Sequence, residues 1–410
     1  MRQLPSRPEA PDSGSGRHRP APPSQSGRGR LLRRRLGLAA IAVLVAAGLT
    51  VGIAHLSGEW PGRPEAAGPS APPAAPPGPP ACGPQVAAMP LRARLAQRLM
   101  VGVNPARPDS ARAVVASTGV GGVFIGGTAT AILRPDALGP MRAASPLPVA
   151  VAVDEEGGRV QRIDELDGSV PSARVMARTM TPAQVRALGG QRGRELSARG
   201  VTVDMAPVLD VDAGPANGAI GDRSFSADPA TVASYAGAFA AGLRDAGVLP
   251  VFKHFPGHGR ASGDSHTGLV STPPLDALRT DDLVPYRALL GTGPAAVMVG
   301  HLNVPGLTGG LPASLSPATY QLLRSELGFH GVVMTDDLGA MRAITDGYAL
   351  PDAVLAALRA GADVALWTSN GDLGTVLDRL QAAVVNGTLP ASNVDEATAR
   401  VLAFKGRCSV

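Results

Sequence analysis

Short apolar runs recur at regular intervals through residues 85–410. There are eight of them: Met100–Val103, Gly121–Ile125, Pro148–Val153, Val201–Ala206, Leu249–Phe252, Ala295–Val299, Gly331–Met334 and Asp363–Trp367. Continuous apolar runs of this length are typical of strands that are buried on both faces, as in a parallel sheet. The pattern therefore predicts eight buried strands.

Helix-like stretches fill the intervals between these runs, and several begin with a proline in the first turn, where its missing N–H costs nothing. The clearest are Pro182–Arg199, Pro229–Ala246, Pro317–Leu327 and Pro351–Ala360. Strands and helices that alternate eight times over about 320 residues predict an α/β fold with a single (β/α)8 barrel of the TIM type. A doubly wound open sheet is the alternative.

The hydrophobic pattern is different ahead of the barrel, in the segment 36–56. Leu36–Ala54 is an uncharged run of nineteen residues, long enough to cross a bilayer as a helix. The arginines Arg33–Arg35 precede it and predict a cytoplasmic N-terminal side. We expect a membrane anchor that holds the barrel outside the cytoplasm. A cleaved signal peptide, which would make the protein secreted, is the alternative, because Gly52 and Ala54 have the spacing of a cleavage site.

Charge and composition separate two further N-terminal segments. Residues 1–35 contain nine arginines against Glu9 and Asp12, which gives +7, and they lack the apolar residues of a core, so we expect a disordered basic tail. Since the whole chain carries +5, the remainder is at about −2, and no basic surface for nucleic acid is expected. Residues 57–84, rich in Pro, Ala and Gly, predict a semi-rigid linker.

Two cysteines, Cys82 and Cys408, lie at the two ends of the barrel region. Outside the cytoplasm, a disulfide that ties these ends together is expected. A lipid-modified Cys82 is less favoured, because it lies far beyond the apolar segment.

The richest chemistry follows the fifth apolar run, in Lys253–His266, which contains a lysine, three histidines and an aspartate. In an extended Asp-x-His, Asp264 and His266 would point to the same side of the chain. The carboxylate would then hold the imidazole in one tautomer, as a proton-transfer histidine requires.

Charged and imidazole side chains also follow other predicted strands. Asp154 follows the third run, Asp210 and Asp212 the fourth, His301 the sixth, and Asp336–Asp337 the seventh. Barrel enzymes place their catalytic residues at the carboxyl ends of the strands. The sequence therefore predicts that these side chains converge on one site.

Six motifs in order resemble glycoside hydrolase family 3, and more narrowly its single-barrel β-N-acetylhexosaminidases that act on peptidoglycan fragments. They are Asp-Glu-Glu-Gly-Gly-Arg-Val-Gln-Arg (154–162), Ala-Pro-Val-Leu-Asp-Val-Asp (206–212), Asp-Arg-Ser-Phe (222–225), Lys-His-Phe-Pro-Gly-His-Gly (253–259), Asp-Ser-His (264–266) and Thr-Asp-Asp-Leu (335–338). The similarity covers about residues 86–405.

The resemblance implies a role for each of several side chains. Asp336 would be the nucleophile of a retaining mechanism, and His266, oriented by Asp264, would be the acid/base. The sugar would be bound by Asp154, Arg223, Lys253 and His254. The implied partner is a short cell-wall fragment with N-acetylglucosamine, handled by a monomeric domain without cofactor or metal.

Some residues are expected to play supporting parts or depart from the family pattern. His258 is expected to stabilise its loop, and Asp337 to cap a turn. Glu155 stands where glutamine is usual, and Arg260 where a small or acidic residue is common. A low aromatic content of 3% favours a short substrate in a pocket.

Three alternative functions are distinguishable. A metal hydrolase would use His254, His258, Asp264, His266 and His301 as candidate ligands. A cell-wall-binding module would have lost catalysis. A β-glucosidase of the same family would commonly need a second domain to supply a glutamate acid.

Overall fold

The computed structural model describes residues 82–369 and 373–408. The predicted basic tail at 1–35 and the apolar segment at 36–56 lie outside these residues. Within the described part of the chain, no helix combines the length and the apolar character needed to cross a membrane. The predicted linker 57–84 overlaps the first described residues, where Cys82 is buried and a helix begins at Gly83.

Eight parallel strands close into a barrel, which confirms the predicted architecture and excludes the open sheet. They are β1 (Leu99–Val103), β2 (Gly122–Ile125), β3 (Ala150–Val153), β4 (Val203–Asp204), β5 (Leu249–Phe255), β6 (Ala296–Val299), β7 (Val333–Asp337) and β8 (Val364–Trp367). Each strand pairs with the next, and β1 pairs with β8, with Leu99 opposite Ala365. All eight apolar runs therefore became strands, with ends shifted by a few residues.

Alternate residues of each strand face opposite sides of the barrel wall. Met100, Phe124 and Val251 belong to one buried cluster with other inward-facing residues of the barrel. Leu99 and Val101 instead join the larger cluster between the strands and the surrounding helices. This two-sided burial explains why the strands are apolar throughout.

Helices surround the barrel in the intervals that the sequence predicted. They are Gly83–Ala87, Leu91–Gln97, Pro108–Thr118, Gly139–Ala143, Asp164–Asp167, Ala173–Thr179, Pro182–Ala198, Pro229–Asp245, Leu275–Thr280, Leu283–Leu289, Pro317–Gln321, Arg342–Thr345, Leu350–Ala360, Leu373–Val385 and Ala391–Phe404. Thr181 and Gln184 form a capping box at the start of Pro182–Ala198. Asp228 caps Pro229–Asp245 by accepting from the N–H of Thr231 at 2.8 Å.

The predicted helix Pro317–Leu327 is regular only over its first half. Pro317–Gln321 is α-helical, and Leu322–Glu326 widens into a π-helical turn. Arg324 in this turn donates to the carbonyls of Phe329 (2.9 Å) and Gly331 (2.6 Å) and to Asp363 (2.6 Å). These contacts tie the turn to the following strand, and a helical pattern in the sequence does not reveal them.

The two ends of the domain meet on the last helix. A disulfide joins Cys82 to Cys408, with the Cα atoms 5.6 Å apart. The bridge packs with Val86 and with Leu402 of Ala391–Phe404 in a small cluster of its own. Val401 of the same helix contacts the inward-facing cluster of the barrel.

Candidate active site

A cavity of about 460 Å³ opens among the loops that follow the strands, and its size is that of a small-molecule site. Its polar lining includes seven side chains: Asp154, Arg162, Arg223, Lys253, His254, His266 and Asp336. The apolar lining includes Val103, Phe124, Met298, Met341 and Leu366. Six of these seven were predicted from the sequence as site residues, and Arg162 was not; Asp337 and Thr368 also contribute to the polar lining.

Lys253 stands at the centre of a charge network beside the cavity. Its Nζ atom lies 2.6 Å from Asp154 Oδ1 and 2.6 Å from Glu156 Oε1. Burial alone would lower the pKa of Lys253, but these two carboxylates outweigh it and raise that pKa. Lys253 is therefore a permanent cation at the cavity.

Glu156 also binds Arg223, through a two-pronged salt bridge with both distances at 2.7 Å. Burial works to raise the pKa of Glu156, but Arg223 and Lys253 hold it well below its usual range. One buried carboxylate thus aligns two cations of the cavity wall. The sequence placed Glu156 in a motif but did not assign it this role, because the partner depends on folding.

Arg162 reaches the same network from the loop after β3. Its Nη2 atom lies 3.7 Å from Asp154 Oδ2, whereas Lys253 contacts Asp154 Oδ1. Asp154 is therefore flanked by two cations. The Gly-Gly-Arg-Val-Gln-Arg run contained the signal for Arg162, in a motif from which only Asp154 was selected.

His254 is held by Asp210, which is fully buried. The Nδ1 atom of His254 lies 2.6 Å from Asp210 Oδ2, and its Nε2 atom lies 3.5 Å from Arg223 Nη2. Burial would raise the pKa of Asp210, but the imidazole of His254 outweighs it and the pKa is lowered. Because Asp210 is a carboxylate, Nδ1 carries the proton and donates, which leaves Nε2 for the cavity side.

Asp336 and Asp337 end β7 but have different surroundings. Asp336 lines the cavity, and its Oδ1 accepts from the N–H of Asp337 at 2.8 Å. Burial would raise the pKa of Asp336, but His254, the N–H of Asp337 and the Lys253 cation outweigh it and lower that pKa. Asp336 is therefore an ionised carboxylate in the cavity.

Asp337 uses its side chain to fix the turn after β7. Its Oδ1 atom accepts from the N–H groups of Gly339 (2.8 Å), Ala340 (3.2 Å) and Thr368 (3.1 Å), and its Oδ2 accepts from the Thr368 hydroxyl. These bonds agree with the expectation that Asp337 caps a turn. Although Asp337 lines the cavity, both of its carboxylate oxygens already accept hydrogen bonds from the protein.

His301 lies behind this strand end and is not among the cavity-lining residues. Its Nε2 atom donates to the carbonyl of Asp337 at 3.0 Å, and its Nδ1 atom pairs with the Ser314 hydroxyl at 2.7 Å. Burial lowers the pKa of His301. A neutral, doubly bonded imidazole supports the strand end rather than the chemistry.

Asp264 and His266 form a pair at the mouth of the cavity. Asp264 Oδ1 accepts from the backbone N–H of His266 (2.9 Å) and lies 2.8 Å from its Nδ1. The sequence attributed this pairing to extended backbone, and that reason was wrong. Because the N–H of Thr267 bonds to the carbonyl of Asp264 at 3.0 Å, the segment is a turn.

The pair leaves one imidazole nitrogen for the cavity. Burial works to raise the pKa of Asp264, but the two N–H groups of His266 outweigh it and lower that pKa. The carboxylate therefore accepts a hydrogen bond from the Nδ1–H group. Nε2 is left to exchange a proton with a bound molecule, since the His266 side chain is 67% exposed and lines the cavity.

Other polar groups hold the loops in place. Asp212 accepts from the N–H groups of Gly214 and Gly221, both at 2.6 Å, and so shapes the loop that carries Arg223. His258 is buried and contacts Ser265 rather than the cavity, in agreement with its expected supporting role. In residues 82–369 and 373–408, no three His, Cys, Asp or Glu side chains are grouped as metal ligands.

Known proteins resemble this chain over the whole barrel. A sequence profile described as "Glycosyl hydrolase family 3 N terminal domain" matches residues 90–404. The β-hexosaminidase LpqI of Mycobacterium tuberculosis is 54% identical over 322 residues, which are 77% of this chain and 82% of that protein.

Solved structures agree. A family 3 glycosyl hydrolase from Mycobacterium smegmatis is 57% identical, with a TM-score of 0.76 over 78% of this chain and 98% of that one. A family 3 β-N-acetylglucosaminidase from Paenibacillus sp. is 32% identical, with a TM-score of 0.72 over 78% of this chain and 63% of that one. The chain therefore belongs to glycoside hydrolase family 3, among its β-hexosaminidases.

Proposed function

We propose that this enzyme removes a non-reducing terminal N-acetyl-β-D-glucosamine from short glycans, above all from peptidoglycan-derived muropeptides, with retention of configuration. One observation carries the proposal. The ionised carboxylate Asp336 and the paired imidazole His266 line the same cavity as the charge network around Lys253. A nucleophile, a proton donor and hydroxyl-binding charges are the groups that glycoside hydrolysis requires.

Asp336 acts as the nucleophile. One of its carboxylate oxygens attacks the anomeric carbon while the glycosidic C–O bond breaks, and a covalent glycosyl-enzyme results. The lowered pKa of Asp336 keeps it ionised at neutral pH. His254, the N–H of Asp337 and the Lys253 cation favour this charged form.

His266 acts as the acid and then as the base. Its Nε2 atom gives a proton to the departing glycosidic oxygen, and the ionised Asp264 stabilises the imidazolium before this step. In the second step Nε2 takes a proton from the water that attacks the anomeric carbon, and Asp336 leaves. Asp264 holds the imidazole in the required tautomer throughout.

The sugar is bound by Asp154, Lys253, Arg223 and His254. Asp154 accepts hydrogen bonds from hydroxyls, and the cations donate to hydroxyl oxygens. Since these groups are fixed by Glu156 and Asp210 before any ligand arrives, little ordering is needed on binding. Among the residues that the structure describes, Phe124 is the only Phe, Tyr or Trp in the lining, which suits a short substrate better than a long stacked polymer.

We further propose that the domain works outside the cytoplasm, held to the membrane by residues 36–56 or released if that segment is cleaved. The disulfide between Cys82 and Cys408 fits an oxidising compartment. An exterior location would give the enzyme access to cell-wall fragments.

The first test is hydrolysis of p-nitrophenyl N-acetyl-β-D-glucosaminide by the full chain, beside the matching glucoside. We expect a clear preference for the N-acetyl substrate, and Asp336→Ala should lower kcat by at least about 1,000-fold because the covalent step is lost. Mass spectrometry with a 2-fluoro glycoside should find the sugar on Asp336.

Preference for the glucoside would identify a β-glucosidase. Activity that a chelator abolishes would favour the metal hydrolase, and an inactive wild type the binding module.

A further inference from the structure

We propose that Ser265 and His258 form a buried latch that positions the Asp264–His266 pair over the cavity. Ser265 is a positioning residue in this proposal and takes no part in proton transfer. The inference rests on the proposed function of His266 as the acid/base.

Ser265 differs from both of its neighbours in burial. It is 1% exposed, whereas the side chains of Asp264 and His266 are 42% and 67% exposed. A polar side chain that is buried within an exposed turn needs a partner. Its hydroxyl lies 3.0 Å from His258 Nε2, and this contact holds in either imidazole tautomer because a hydroxyl can donate or accept.

His258 is itself fixed to the barrel. Its backbone N–H donates to Asp210 Oδ1 at 2.6 Å, and Asp210 also binds the ring of His254. Burial lowers the pKa of His258, so its ring is neutral. The latch thus connects the turn to the same carboxylate that orients a sugar-binding imidazole.

The turn has a second attachment, to the helix that follows β7. The carbonyl of Ser265 accepts from the N–H of Ala343 at 3.2 Å, and that of His266 from the N–H of Arg342 at 3.4 Å. Both donors lie in the helix Arg342–Thr345, shortly after Asp336. If the hydroxyl is removed, these backbone bonds keep the turn folded. What is lost is the tether of the exposed Asp264–His266 pair to the barrel, because among the described residues the side chain of His266 is hydrogen-bonded to Asp264 and to no side chain of the barrel itself.

Displacing the general acid lowers kcat/KM most for substrates whose leaving group is a weak acid, because such a group must be protonated as it departs. The test therefore uses a series of aryl N-acetyl-β-D-glucosaminides whose phenols differ in acidity, with kcat/KM measured for each. We expect Ser265→Ala to lower kcat/KM by less than about 3-fold for the p-nitrophenyl substrate. For the substrate with the least acidic phenol, kcat/KM should fall by roughly 10- to 100-fold. The plot of kcat/KM against phenol pKa should become steeper.

A matched control lies in the same loop. Ser262 bonds to the N–H of Ser271 at 3.1 Å, at the base of the loop. Ser262→Ala removes the same atom from the same loop and should keep the wild-type slope. An equal steepening in Ser262→Ala would overturn the latch, because it would mean that the whole loop responds.

A double variant separates positioning from general stability. In the His266→Ala background, Ser265→Ala should cause no further loss on any aryl substrate, with thermal unfolding measured for every variant. An additional equal loss on all substrates would overturn the latch. If His266→Ala itself leaves the slope unchanged, the proposed acid/base fails. If only Ser265→Ala leaves it unchanged, the latch alone fails.

Discussion

Glu155 and Glu156 are consecutive buried residues, but the pKa of Glu155 is raised and that of Glu156 is lowered. Glu156 meets Arg223 and Lys253 at hydrogen-bonding distance and stays ionised. Glu155 is fully buried, with Arg192 no closer than 3.7 Å, and burial raises its pKa from 4.5 to about 7. Residue type alone therefore says little about charge, and the distance to a cation decides it.

Glu155 is expected to make stability depend on pH. Because its folded pKa lies above its unfolded value, the folded state binds more protons between about pH 4.5 and 7, and stability falls as pH rises through this window. Glu155→Gln removes the ionisation and can still accept from the N–H groups of Arg162 and Ile163, now at 2.6 and 3.2 Å. At pH 8 the free energy of unfolding of the variant should exceed that of the wild type by up to about 3 kcal/mol.

Urea unfolding of both proteins at about pH 5 and pH 8 checks this prediction. Arg192 retains Glu195 at 3.2 Å, so the substitution does not isolate the guanidinium. We expect the free energies of unfolding to be similar at the lower pH and to separate at the higher one. The same difference at both pH values would mean that Glu155 does not titrate in this range.

At the scale of elements, the loop after β5 is held at its base by Arg260. The guanidinium contacts Asp281 (2.9 Å) and the fully buried Asp282 (2.5 Å), and it donates to the Ala277 carbonyl (2.9 Å). The loop backbone packs directly on Asp282. A Cβ atom on Gly257, whose φ is 138°, would lie 2.6 Å from the Asp282 Cβ. Arg260, which departs from the family pattern, therefore has two aspartates as salt-bridge partners.

Arg260→Ala should destabilise the protein by about 1–3 kcal/mol, because Asp282 would be left buried without a cation. Burial already raises the pKa of Asp282 to about 6, so the loss should be larger at pH 8 than at pH 5. Arg279→Ala is the matched control, since Arg279 makes a half-exposed pair with Glu326 at 2.8 Å. That control should cost clearly less in thermal or urea unfolding, because water already solvates both charges of the exposed pair. Equal losses in both variants would contradict this role of Arg260 at the base of the loop.

The elements themselves were largely predictable from the sequence, because a strand that is buried on both faces must be apolar at every position. Strand ends such as Lys253–His254 and Asp336 could be assigned to one site since parallel strands share a carboxyl edge. The pairing of side chains was not predictable. Which carboxylate meets Arg223, or that Ser265 turns inward, depends on distances between loops that the order of residues does not contain.

At the scale of the whole molecule, the disulfide joins the first and last described parts of the domain away from the cavity lining. Cys82 and Cys408 are 326 residues apart in sequence, so the bond restricts the unfolded chain strongly. It packs on Ala391–Phe404, and Val401 of that helix contacts the inward-facing cluster of the barrel. None of these residues lines the cavity.

The double variant Cys82→Ser/Cys408→Ser should therefore lose stability and keep its catalysis. We expect a loss of about 2–5 kcal/mol in unfolding free energy, from the freed unfolded chain and the weakened cluster around Val86. The value of kcat/KM below the melting temperature should stay within about 2-fold, because Asp336 and His266 are held by strand-end contacts. Dithiothreitol should lower the Tm of the wild type and leave that of the variant unchanged. A large loss of activity in a still-folded variant would mean that closure at Cys82 and Cys408 shapes the cavity.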